Sequence, residues 1–331
     1  MSEAPQEGKR GPLRSLLAFF FHTERGQDEP PVDDGSAPAP EEEAAIPDLG
    51  ELPQAPAPRS RLFRVRERTA PALRVLLGVL PFALFFVWWL WATAGAEPEL
   101  RRISSTILPS PAEVISRLPE LWYDSALMRN ILLSLVRVLG GFAVAVLIAL
   151  PLGIAMAAFS RIGATFGLVT ALLSYLPIPA IVPLTMAWWK TGEEQKVGFL
   201  ALATFAYLLP LVVRHIGAVD HKYLLSAYAQ GAGSWQLVSR VLVPIALPDT
   251  FNALRLCLGI GWTYIVLAEV IKAGEGVGGV GNLIMVFQRR GHMEEVYLTV
   301  ASIMIVGAIL DRTCGWLSNR LFPYRAARGE G

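Results

Sequence analysis

Charge is what this sequence has least of. Only 17% of its 331 residues are Asp, Glu, Lys or Arg, against about 25% in an ordinary soluble domain, and its mean hydropathy is +0.45. A chain so poor in charge cannot clothe a soluble surface, so it reads as a membrane protein. Cysteine is nearly absent: Cys257 and Cys314 stand far apart in apolar runs, which implies packing residues and no disulfide framework. A net charge of +1 supplies no clustered basic surface, and that excludes a nucleic-acid partner. The sequence contains no Gly-x-x-x-x-Gly-Lys-[Ser/Thr] phosphate loop, so ATP must be hydrolysed elsewhere if it is used at all. His22, His215, His221 and His292 show no metal-ligand spacing, and no nucleophile is paired with a base. No catalytic residue, metal site or bound cofactor is expected, and the chain reads as no enzyme.

What is present is a series of apolar runs behind a polar tail. Residues 1–58 are rich in Pro, Ala and Glu, with acids but no Lys or Arg from Asp28 to Glu51. Such a segment buries too little apolar area to offset its ordering entropy, which predicts a disordered acidic tail. Within it the short run 13–21, LRSLLAFFF, is a sticky patch or a membrane-surface contact. The first residues lack the basic, apolar, small-residue order of a cleaved signal, so the first spanning helix is expected to be retained.

Residues 59–125 hold a basic flank, a first span at about 75–94 and an outside segment. Arg59, Arg61, Arg64, Arg66, Arg68 and Arg74 crowd in front of that span, against Arg101 and Arg102 beyond it, which keeps its start in the cytoplasm. About 20 apolar residues match a hydrocarbon core about 30 Å thick. Further candidate spans are 138–159, 166–189, 197–213, 248–271 and 296–317, within a transmembrane domain of residues 126–320, followed by a tail of residues 321–331. The fold class is all-α, with about six transmembrane helices and both termini cytoplasmic. Between the first two spans, the Leu108-Pro-Ser-Pro111 turn and the amphipathic stretch 112–122 are expected along the outer interface.

One polar interruption stands out, residues 220–244, DHKYLLSAYAQGAGSWQLVSRVLVP. Asp220 suits an N-cap, a short small-residue helix follows, Gly231-Ala232-Gly233 permits a sharp bend, and Ser234 can cap a second helix, 235–243, that stops at Pro244. This element resembles the cytoplasmic coupling loop of permease subunits of bacterial type I ABC importers. Leu225-Ser226-Ala227 stands where that family has Glu-Ala-Ala, followed by Gly231 and by Val241, Val243 and Pro244 at the family's spacing. The motif's Glu is here a Leu, which removes an ionic contact but not the shape. Residues 107–114 (ILPSPAEV) and 176–183 (LPIPAIVP), with Trp188 and Gly192-Glu193, resemble the nitrate, sulfonate and taurine branch.

The resemblance implies a permease with the type I importer transmembrane fold, in the bacterial inner membrane. It implies a second permease copy as homodimer, a separate ABC ATPase subunit and a periplasmic or lipid-anchored solute-binding protein, all within membrane lipid. Leu225, Ser226, Ala227, Gly231, Ala232, Gly233, Trp235 and Pro244 would then serve ATPase coupling, with Trp235 as docking anchor. The solute would be a small oxyanion such as nitrate, a sulfonate or taurine. An ion-coupled secondary transporter and a non-transporting scaffold are the rival readings, but no internal repeat supports the first.

A few residues inside the apolar runs ask for a reason. Pro177, Pro179 and Pro183 each remove a backbone donor, so that span is expected to line the translocation path, with an ordinary packing kink as the competing reading. Glu269 is placed near the outer end of its span, at the path and an outer gate or snorkelling to headgroups; Arg137 is expected to snorkel at the outer boundary. Asp311 reads as an interfacial anchor. Gly276-Val-Gly-Gly-Val-Gly281 satisfies Gly-x-Gly-x-x-Gly but follows a membrane span in place of a strand, so it reads as a loop and not a dinucleotide site.

Overall fold

The computed structural model describes residues 70–95, 101–270 and 278–326. The expected tail, the run 13–21 and all of the arginine flank except Arg74 lie outside the described residues. The chain divides into two units, residues 1–81 and 82–331. Described residues of the first comprise the start of helix α1 (Pro71–Ala92), which at 22 residues and about 1.5 Å per residue is long enough to cross a hydrocarbon core.

In the second unit, the Pro109–Pro111 turn opens two short helices, α2 (Pro111–Ser116) and α3 (Leu118–Tyr123). Ser110 and Glu113 close a reciprocal capping box, and Arg101 grips the Glu113 carboxylate from outside the helix. The expected amphipathic stretch is thus two helical turns with a break at Arg117. Long helices follow: α4 (Leu127–Ala158), the pair α5 (Ser160–Leu173) and α6 (Ile178–Trp189), and α7 (Glu193–Gly217). The loop helix α8 (His221–Ala229) leads into α9 (Ser234–Leu237), a π-turn over Val238–Leu242 and α10 (Val243–Val270). The chain then forms α11 (Val280–Arg290), α12 (Met293–Leu321) and the terminal turn α13 (Pro323–Ala326). Among the described residues there are no strands.

The core is built on the approach of α4 to α7. Gly141, Ala145, Ala149 and Gly153 recur every fourth residue, which puts them in one stripe, and all are buried. A Cβ on Gly141 would lie 2.6 Å from the Leu200 Cβ, and one on Gly153 would lie 2.6 Å from the Val212 Cγ1. Small residues let helices meet backbone to backbone where apolar side chains gain nothing by leaving lipid. Because residue 141 meets 200 while 153 meets 212, the two helices run parallel. The chain between them must therefore recross the membrane, and α5 with α6 is what does so. Among the described residues, five helices are long and apolar enough to span, or six when that pair counts as one.

The pair is the proline-broken span expected over 166–189, with its first helix beginning earlier, at Ser160. Its two helices meet at 104°. The cause is local: a residue before proline is pushed out of the helical region, Leu176 precedes Pro177 and lies outside both helices, and Pro177 itself is extended at ψ 101°. Helix α10 runs antiparallel to α7, with Tyr264 stacked on Tyr207 and Ala246 near Ile216. Helix α12 runs back along α10, where the Trp262 indole donates to the Ile303 carbonyl at 2.9 Å.

One correction concerns Pro244. It does not end a helix. The Val243 amide donates to the Val238 carbonyl across the π-turn, so the hydrogen-bond ladder has slipped before proline is reached. Pro244 then falls in the first turn of α10, where a missing N–H costs least. The rod from Ser234 to Val270 is continuous.

Candidate functional site

At one end of the bundle lies the 220–244 loop. Asp220 caps α8, accepting from the Lys222 amide at 3.0 Å and pairing with its ammonium, and these two contacts hold its carboxyl below the usual range. The other end of α8 closes as a Schellman motif: the Ala232 amide donates to the Ala227 carbonyl at 3.1 Å and the Gly231 amide to the Tyr228 carbonyl at 2.9 Å. That closure needs a left-handed residue, and Gly231 takes it at φ +80°. Gly233, and not Ser234, sits at the cap of α9, its amide donating to the Gln236 side chain.

The faces of this loop differ. Leu224 packs against the core cluster that includes Ile216, Val238 and Leu242, while Leu225, Ser226, Tyr228 and Trp235 are exposed. Trp235 is 74% exposed and Leu225 59%. Ala227 and Ala232 are half-buried, and Gly231 and Gly233 lie open on the surface. A cavity of about 420 Å³, lined by Ala158, Phe159, Ile216, Leu224 and Tyr228 among others, separates the loop from the helix ends above it.

At the opposite end the structure gathers charges that the sequence had spread over 133 positions. Arg137 is 4% exposed and Glu269 0%, so neither snorkels, which corrects both expectations. The Arg137 Nη1 donates to Glu269 Oε1 at 2.7 Å and to the Gly278 carbonyl at 3.1 Å. Its Nε and Nη2 grip both oxygens of Glu193 at 2.6 and 2.7 Å. Lys196, 2% exposed, donates to Glu193 Oε1 at 3.0 Å. Glu269 also accepts from Ser134 Oγ at 2.7 Å and from the Gly281 amide at 2.9 Å. Ser134 accepts in turn from the Val280 amide, and Asn130 Oδ1 accepts the Gly279 amide at 2.6 Å. A Cβ on Gly279 would strike the Glu269 carboxyl at 2.4 Å, so the described part of the glycine run is a close backbone approach to a carboxylate. Glu269 therefore faces protein on all sides and lines no open path in this conformation. The signal for the pair was available: opposite charges isolated in two apolar runs each need a partner.

Asp311 is likewise no free anchor, being bridged through both oxygens to Arg255. Pro177 stands at the cap of α6 with Pro179 in its first turn and Pro183 inside it, all three on the exposed side of this chain. Among the described residues, no group of three or more His, Cys, Asp or Glu could hold a metal.

These features define a multi-pass, all-helical membrane protein with one polar end-loop and a charge cluster built on the buried Arg137–Glu269 pair. The family described as "Binding-protein-dependent transport system inner membrane component" matches residues 149–322, a little over half of the chain. The taurine transport system permease protein TauC of Escherichia coli K12 is 30% identical over 273 residues, covering 80% of this chain and 94% of that protein. The putative aliphatic sulfonates transport permease protein SsuC of Bacillus subtilis is 26% identical over 247 residues, 75% of this chain and 86% of that one. A solved structure of the MetNI methionine ABC transporter, in an inward-facing conformation, shares the fold at TM-score 0.53 and 17% identity, covering 61% of this chain and 98% of its own. The chain belongs to the binding-protein-dependent inner-membrane component family and is a multi-pass ABC transporter permease of the inner membrane. The branch resemblance read from residues 107–114 and 176–183 agrees with the two named relatives.

Proposed function

We propose that two copies of this chain form the translocation path of an importer for a small oxyanion, with residues 220–244 as the element through which a separate ATPase drives it. Leu225, Ser226, Ala227, Gly231, Ala232, Gly233, Trp235 and Pro244 form or support that coupling element. The observation that carries the reading is the two-faced loop: Leu224 fastens it to the bundle while Leu225, Tyr228 and Trp235 stand exposed on a stiff, capped helix pair. Large aromatic anchors of this kind are what interface hot spots use. In this reading the loop end is the cytoplasmic one: the arginines ahead of the first span keep its start inside, and α4, the α5–α6 pair and α7 make three further crossings before the loop. A periplasmic or lipid-anchored binding protein delivers solute to the other end, and the broken α5–α6 pair with Pro177, Pro179 and Pro183 faces the path and the second copy. The names of the two relatives favour a sulfonate, with taurine first.

The test is reconstitution. The chain purified with the ATPase it captures should, in proteoliposomes, take up labelled taurine or a short alkanesulfonate in an ATP-dependent, vanadate-sensitive manner. Trp235→Ala should weaken capture of the ATPase by roughly thirtyfold, for a hot spot of about 2 kcal/mol. Uptake driven by a proton gradient without any ATPase would overturn the reading.

A further inference from the structure

The cluster around Arg137 joins two bodies that are each tight internally. In the first, α4 and α7 are locked at Gly141 and Gly153, and Arg137 holds Glu193 with both arms of its fork. In the second, Glu269 near the end of α10 accepts from the Gly281 amide at the start of α11. The bodies are tied together at this end by Glu269 with Arg137 and Ser134, and by the Gly278–Val280 backbone with Arg137, Asn130 and Ser134. Farther along, α10 packs on the first body through apolar contact, with Tyr264 stacked on Tyr207 and Trp262 and Ile265 in one core with Val138, Phe199 and Leu200, so the charged ties between the bodies are confined to this end.

Stability alone does not account for such a pair. Apolar residues of similar volume often serve a buried site as well or better, and charges in the membrane are kept where they work. Glu269 also ends the rod Ser234–Val270, whose other end carries Trp235. A displacement of the loop therefore reaches Glu269 unless the π-turn at Val238–Leu242 absorbs it. Among the described residues two acids bind Arg137, and they are not equivalent. Glu193 belongs to the body of Arg137, while Glu269 belongs to the other body and moves with α10.

We propose that Arg137 and Glu269 are positioning residues of the transport cycle, forming an outer latch that holds α10 and α11 against α4 and α7 and that the ATPase opens through α10. This rests on the importer reading above. Neither side chain is a solute ligand in the latched state, since both are enclosed.

The test uses the permease with its captured ATPase in proteoliposomes, carrying Cys257→Ala, Cys314→Ala and a reporter, Val280→Cys. Val280 is 0% exposed and lends the latch only its backbone amide. A membrane-impermeant maleimide added outside should leave the resting protein unlabelled and label it once ATP and vanadate trap the ATPase. Glu269→Gln keeps the side-chain size but removes the charge facing Arg137. It should raise resting labelling and basal ATP hydrolysis several-fold, with normal membrane insertion. The double variant Arg137→Met/Glu269→Leu removes both charges, and it should insert normally yet remain labelled at rest. Glu269→Gln behaving as the parent, or a reporter never labelled under trapping, would overturn the proposal. So would failure of both variants to accumulate, or a double variant with parental gating, since either makes the pair a folding element. If the parent captures no ATPase, it is the importer reading that falls.

Discussion

Gly141 and Leu200 lie so close that a methyl group on the glycine would sit 2.6 Å from the Leu200 Cβ and 2.9 Å from the Val197 carbonyl. No rotamer of a neighbour can relieve a clash with a Cβ and a backbone oxygen, so the helices themselves would have to part. Gly141→Leu is therefore expected to destabilise the permease by about 1–3 kcal/mol or more, read as a lower unfolding temperature in detergent. Gly167→Ala, at a half-buried helical position with nothing within 4 Å of the added methyl, should be neutral or slightly stabilising, since alanine favours a helix over glycine.

The Schellman closure of α8 makes a separate prediction about the loop. At φ +80° a β-branched residue carries roughly 1–2 kcal/mol of local strain, yet Gly231 has nothing within 4 Å to clash with. Gly231→Val should insert at normal levels while ATP hydrolysis and uptake come apart. Parallel assays of hydrolysis and solute uptake check it, and unchanged uptake would contradict the coupling role.

Glu113 supplies a pH dependence confined to the segment before α4. The Arg101 guanidinium, helped by the Ser110 amide and hydroxyl, holds its carboxyl at about 2, below the ordinary 4.5. A lowered value in the folded state means that the contact stabilises fully above about pH 4.5 and is lost as pH falls towards 2. The side chain is 36% exposed, so the effect is local. Hydrogen exchange of the α2 amides, corrected for intrinsic rates, should accelerate over that window, and Glu113→Gln should abolish the change.

Much of the architecture was legible because it depends on near-neighbour chemistry. Apolar run length marks the spans, Asp220 and Gly231 mark the ends of α8, and the Leu108–Pro111 turn marks the approach to α2. Pro177 and Pro179 announced a break, since proline acts on its own backbone and on the residue before it. Pro244 misled for the same reason taken too far: a proline ends a helix only where the ladder needs its N–H, and the π-turn had already shifted that ladder.

What the sequence determined by itself was the solvent this protein lives in, the length and placement of its helices and the shape of its polar loop, all of which are set by residues within a few positions of one another. What only the tertiary structure decided was pairing across distance. Arg137 and Glu269, read alone, had headgroups as a sufficient partner; the parallel packing of α4 on α7, and the return of α10 beside them, brought the two charges together away from water. A charge in an apolar run must be satisfied, but which group satisfies it is a property of the packed helices.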